Sequence, residues 1–318
     1  MTKTTQAANP GRLSGFLLIL SAMVLGTGAM LAAEGLGIPS SRWGIGFGNS
    51  TRFTGLRFNL CDNHIEKIEG VNVTLWKPRK KAVSGTVNGL SLGLMPSAAS
   101  LNGIQFGLLG VGAEDTLRGV TIGLIGAGSG EDMKGVNIGG IGVGCGENLV
   151  GLNLGGLGVG SGENVTGINI AGLGVGAGNR ITGLNIGFLG VGAGERVCGI
   201  TIAGLGAGAG ERLTGLTICG LGAGAPEVRG LTIAGLGLGG EDLRGVHLTL
   251  GTVQVNDGGT MRGLAVSAFN HIRGTQKGVA IGIVNIARSL KGLQIGLVNI
   301  VYDNPAGRRV LPIVNFNF

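Results

Sequence analysis

A fixed 16-residue step constrains this chain more than any other feature. Gly135, Gly151, Gly167, Gly183 and Gly199 each lead a near-copy of one unit. VNIGGIGVGCGENLV (from Val136), LNLGGLGVGSGENVT (from Leu152) and INIAGLGVGAGNRIT (from Ile168) are three of the five. Self-similarity at a short fixed step marks a repeat architecture, in which each unit buries its apolar side only against its neighbours. The 70 glycines would suit disorder, but 43% of residues are apolar and these are strictly spaced. That spacing points to a packed array.

Counting from the leading glycine as position zero, apolar residues fall at plus one and plus three (Leu184, Ile186) and at plus six and plus eight (Leu189, Val191). A small residue follows at plus ten (Ala193) and an apolar one at plus fourteen (Val197). The first two pairs alternate in opposite phases, so one straight strand would send them to opposite faces. A corner near plus four or five (Gly187, Ala203) would bring both inward, with a second corner at the polar Gly-Glu-Arg piece. The unit then reads as one coil of a parallel β-solenoid with two or three short strands. On this reading Leu173 points inward between Leu157 and Leu189, and Asn169 lies on the outer face.

In a parallel stack each residue lies about 4.8 Å above its equivalent. Asn137, Asn153, Asn169 and Asn185 therefore form an amide ladder, continued by Thr201, Thr217 and Thr232. The glycine column Gly142, Gly158, Gly174, Gly190 and Gly206 serves either corner geometry or close packing.

Along the chain, residues 1–33 read as an export signal: Lys3 and Arg12 precede the apolar run Leu13 to Leu25, and Ala32-Ala33 ends it. An uncleaved membrane anchor is the alternative. Residues 34–54 are a lead-in, 55–302 the glycine-rich repeat domain and 303–318 a capping strand. Leading glycines run from Gly55, Gly70, Gly89 and Gly103 through the regular array to Gly263, Gly278 and Gly292. They mark about sixteen units of 14–19 residues, a stack of roughly 75 Å at about 4.8 Å per coil. Trp76 to Val83 (with KPRKK) and Val253 to Thr260 interrupt the pattern.

The segments GLQIGLVNI (Gly292 to Ile300), GVAIGIVNIARSLK (Gly278 to Lys291), FTGLRFNL and the ending RRVLPIVNFNF resemble a family of bacterial exported surface-repeat proteins. The resemblance covers roughly 50–75 and 278–318, and the central GLGVGAGE units depart from it. It implies a cell-surface location and supplies no catalytic residues.

The formal charge of +7 is patterned. Arg118, Lys134, Arg229, Arg244, Arg262, Lys277 and Lys291 occupy one column, just before the leading glycines. At plus twelve lies an acidic column: Asp115, Glu131, Glu147, Glu163, Glu195, Glu211 and Glu227. Oxygen ligands in a row could hold calcium, but a solvated corner with Arg196 and Arg212 beside the acids is the preferred reading. A basic stripe also suits nucleic acid or anionic lipid. The aromatic platform for single strands is missing, so nucleic acid is not expected.

Cys61, Cys145, Cys198 and Cys219 form no CxxC pair, and Cys145 takes the small inward position. His64, His247 and His271 are scattered, with His247 at the ladder position. No metal spacing, phosphate loop or catalytic triad stands out, so catalytic, cofactor and metal sites are all read as none. The expected fold is all-β, a parallel solenoid. An antiparallel outer-membrane β-barrel is the alternative, suggested by the tail alternation Val314, Phe316, Phe318. The expected role is structural or adhesive, not enzymatic, in an exported surface or envelope protein. Its partner would be a surface ligand or envelope component, with association with the outer membrane and no cofactor.

Overall fold

The structure, a computed structural model, describes residues 35–317. The expected export signal and the terminal Phe318 lie outside the described residues. Within them the chain is a right-through stack of about 15 turns, all-β and without an α-helix. Each repeat pairs in parallel and in register with the next: Leu149↔Val165, Gly151↔Gly167 and Asn153↔Asn169, then Val165↔Ile181, Gly167↔Gly183 and Asn169↔Asn185. A barrel meander requires antiparallel neighbours, so the barrel alternative is overturned.

One coil consists of a long strand (Asn148–Gly155), a corner at Gly156 and Leu157, a short strand (Gly158–Ser161) and a corner at Gly162 and Glu163. The second corner falls where the sequence places it, and the first falls one residue later, since Gly187 and Ala203 still end their long strands. The leading glycine sits inside the long strand with left-handed backbone, φ 124° at Gly151 and 117° at Gly167. A Cβ on Gly167 would lie 2.1 Å from the Gly151 carbonyl oxygen of the coil below. L-residues are strained at such φ, and no side chain fits against that carbonyl. The plus-seven glycines do something else. They lie within the short strands, and a Cβ at Gly142 would meet the next coil's Gly158 carbonyl at 3.2 Å. Close packing, not corner geometry, explains that column.

The direction of the side chains differs from expectation. The residues at plus fourteen (Met133, Leu149, Val165, Ile181, Val197, Leu213) are fully buried. Val143, Val159, Val175 and Val191 at plus eight join them in one continuous core. Asn169 is 0% exposed, while Leu157, Leu173 and Leu189 are 49%, 44% and 42% exposed. Ile168 and Ile170 are exposed too. The reason is parity. Plus fourteen and the following plus one are three residues apart on one strand, so they cannot share a face. The strand keeps plus fourteen inside, which carries the Asn column in and the Leu/Ile columns out.

The stack ends on antiparallel strands. At the start, β1 (Leu36–Ser40) and β2 (Trp43–Phe47) form a hairpin, and β2 lies parallel on β3 (Arg52–Cys61). At the other end, Val310–Asn317 pairs antiparallel with Val284–Val301. Such terminal strands cover the coil edges that would otherwise recruit another chain. The KPRKK excursion leaves the ladder, passing through a short 3-10 turn at Lys80–Ala82. The later interruption stays within the strand Thr252–Val266 as an irregularity between Val255 and Thr260.

The glycine columns separate into strict and tolerant ones. Gly183→Ala must adopt φ 113° and meet the Gly167 carbonyl at 2.1 Å, whereas a Cβ at Gly192 meets its nearest atom at 3.8 Å. Urea unfolding is expected to show a loss of about 1–3 kcal/mol or more for Gly183→Ala. Gly192→Ala is expected within about 0.5 kcal/mol of the parent.

Candidate functional site

Two structures run the length of the coil: a polar column inside and an apolar face outside. Inside, Asn137 Nδ2 donates to Asn153 Oδ1 at 2.8 Å, Asn153 to Asn169 at 2.7 Å, and Asn169 to Asn185 at 2.8 Å. These three amides each give a hydrogen to the next copy, and Asn185 donates to the Gly183 carbonyl at 3.3 Å, so polar groups are buried without an orphan donor. Thr201, Thr217, Thr232 and His247 continue the column in register. In the last coils a second ladder takes over, from Asn270 to Asn285 and on to Asn299, at 2.8 Å each. Gln294 and Asn299 of the GLQIGLVNI segment both point inward.

The column begins on a buried ion pair that sequence inspection missed. Arg57, fully buried, donates to Asp62 at 2.7 Å and to Asn72 at 2.9 Å. Asn72 donates in turn to the other Asp62 oxygen at 2.6 Å. The signal was present, since Arg57 stands two residues after Gly55, in the ladder position. Asn59 also donates to Asp62, at 2.9 Å, so the network ties together the first coils of the stack.

His247 is the weak rung. Neither ring nitrogen has a partner, and burial pushes its pKa down to about 4.

The outer face is built by the plus-one and plus-three residues and the corner leucines. Ile200, Ile202, Leu205, Leu221, Leu231, Ile233 and Leu236 carry it on from Ile168, Ile170 and Leu173, all exposed. Soluble monomers rarely leave more than a few hundred Å² of contiguous apolar surface. Near its start the face holds a groove of about 470 Å³, lined by Phe58, Val73, Leu75, Leu92, Leu94 and Phe106. Beside the face runs the basic column, in register as read: Arg118↔Lys134, Arg229↔Arg244, Arg244↔Arg262, Arg262↔Lys277 and Lys277↔Lys291.

The acidic corner adjoins the basic column, two or three residues before it in each coil (Asp115 before Arg118, Glu227 before Arg229), and is partly paired. Arg196 reaches Glu211 at 3.0 Å and Arg212 reaches Glu227 at 2.5 Å, with Arg229 on the same carboxylate. Burial works against the charged form of Glu227, but Arg229 and Arg212 outweigh it and hold its carboxyl below the usual range. Among the described residues, no group of three or more His, Cys, Asp or Glu could hold a metal ion. All four cysteines are free. Cys145 packs against the core, where burial pushes its thiol up to about 11, far from the thiolate that reacts.

Comparison with protein-family models, with curated proteins and with solved structures found no match.

Two measurements check the polar column. Asn169→Asp keeps an acceptor for Asn153 but offers no hydrogen to Asn185, and it buries a charge. It is expected to cost about 3–5 kcal/mol, whereas Leu173→Asp on the outer face is expected to cost less than about 1 kcal/mol. For His247, the folded pKa lies below the unfolded value. Its contribution is complete above pH 6.5 and is lost as pH falls from 6.5 to about 4, because only the unfolded chain takes the proton there. The wild-type protein is expected to lose about 3 kcal/mol more than His247→Thr over that window, as read by urea unfolding at each pH.

Proposed function

We propose that this is a non-catalytic repeat protein of the bacterial cell envelope, exported and held at a surface, with a structural or adhesive role exercised through its long faces. The observation that carries the reading is the apolar Leu/Ile face, exposed along the whole stack. An array of identical exposed columns offers many weak contacts in parallel, which sum by multivalency. A single concave pocket with convergent polar groups, the usual form of an enzyme site, plays no part in this reading. The export-signal pattern of residues 1–33 and the resemblance of the two ends to surface-repeat proteins support the location.

Fractionation of a bacterium producing the full chain tests the proposal. The wild-type protein is expected in the envelope fraction and within reach of protease added to intact cells. The variant Leu157→Glu, Leu173→Glu, Leu189→Glu is expected to shift into the soluble fraction by several-fold. Wild-type protein confined to the cytoplasm, or equal envelope retention of the variant, would overturn it.

A further inference from the structure

We infer that the apolar face lies flat on a lipid surface bearing anionic headgroups. The inference rests on the face being the working surface, and it names the occupant.

Continuity comes first. The face does not stop at the repeats. β2 is in register with β3, so Ile45 sits over Leu56 and Phe47 over Phe58, the two rings stacked at 5.6 Å. β1 then adds Leu36 opposite Phe47 and Ile38 opposite Ile45. Directly opposed residues of an antiparallel pair share a side. At the far end Phe316 stands opposite Leu293, and Val314 opposite Ile295. Both terminal strands thus enlarge the same plane. The apolar run Leu13 to Leu25 precedes β1 in the sequence. About 15 turns at about 4.8 Å give a plane roughly 70 Å long.

Charge selects the occupant. The basic column lies two residues before the plus-one column on the outer side of the same strands, so it borders the apolar plane towards its two ends, while Val150, Thr166, Thr182, Cys198 and Thr214 hold that position in the middle coils. Arg118, Arg262, Lys277 and Lys291 are exposed there, while Lys134, Arg229 and Arg244 are drawn to local carboxylates. Glu69, the acid of this column, is paired with Lys67. Cations at the margin of an apolar plane sit at headgroup depth when the plane enters the acyl boundary, where each contributes to binding of anionic lipid. The two tryptophans fit the same placement. Trp43 stands in the basic border column and Trp76 at the opposite corner, 58% and 43% exposed. Tryptophan favours the membrane–water interface. A second copy crossing the first with its coils reversed would set one basic border against the other, an arrangement that repels.

The test uses the full chain with phosphatidylglycerol vesicles and phosphatidylcholine vesicles. Wild-type protein is expected to co-sediment with the anionic vesicles and to show a blue shift of tryptophan emission. Binding to the zwitterionic vesicles is expected to be at least about tenfold weaker. Leu157→Glu, Leu173→Glu, Leu189→Glu is expected to lose at least about tenfold in partitioning to both, with an unchanged melting curve. Arg262→Gln, Lys277→Gln, Lys291→Gln is expected to weaken binding to phosphatidylglycerol alone. Equal binding of the glutamate variant would assign the affinity to the upstream apolar run and overturn the inference. So would a dimer in solution that the glutamates dissociate, which would make a second copy the occupant. Envelope retention lost by the glutamate variant, with no vesicle binding by the wild-type protein, would refute lipid while leaving the envelope role standing.

Discussion

Everything in this molecule depends on parallel stacking in register. The backbone hydrogen bonds that link coil to coil place each residue about 4.8 Å from its own copy. An inward position can therefore hold only side chains that tolerate themselves. Aliphatic residues at plus fourteen and plus eight do so by contact, and asparagines do so by passing a hydrogen along the ladder. A lone charge cannot, which is why Arg57 appears inside only at the end of the column, where Asp62 and Asn72 differ from it and accept its Nη1 hydrogens.

The same constraint turns the usual distribution inside out. Each coil is narrow, and its inner wall is filled by one aliphatic residue per side, a rung of amide and small residues such as Ala171 and Ala203. The remaining leucines and isoleucines stand outside in columns. Exposure of single hydrophobic residues is ordinary, but a plane of them is not. A surface of this kind is either covered in use or an aggregation hazard, and the antiparallel strands at both ends guard the edges rather than the plane. The envelope reading and the lipid inference both follow from that plane.

Much of this was legible in the residues themselves. The 16-residue step announced the coil, the Asn137 to Asn185 spacing announced the ladder, and Cys145 in the place of Ser161 and Ala177 marked a small position against the core. The direction of the wall was not legible from hydrophobicity. Leu173 and Leu189 are larger and more apolar than Asn169 and Asn185, and a rule that sends apolar residues inward chooses wrongly between them. Parity held the answer: the apolar plus-fourteen position of the regular repeats and the Asn position are an even number of residues apart within one strand. The leading glycine was legible as punctuation, while its left-handed φ and the carbonyl of the preceding coil against it belong to the stacked state. Nothing in the local sequence of Arg57 foretold its partner, because Asp62 reaches it only once the end of the stack has closed.

The continuous stack is tested most directly by distances between spin labels on its outer corner, in a background with the four cysteines replaced by alanine. Leu157 and Leu221 stand four coils apart, and Ile125 and Leu236 seven coils apart, in the register of the short strands. Labels at these pairs are expected about 19 Å and about 34 Å apart, rising linearly with coil number. Distances that level off or fall as the number of intervening repeats grows would mean that the strands close on themselves, and would contradict the solenoid.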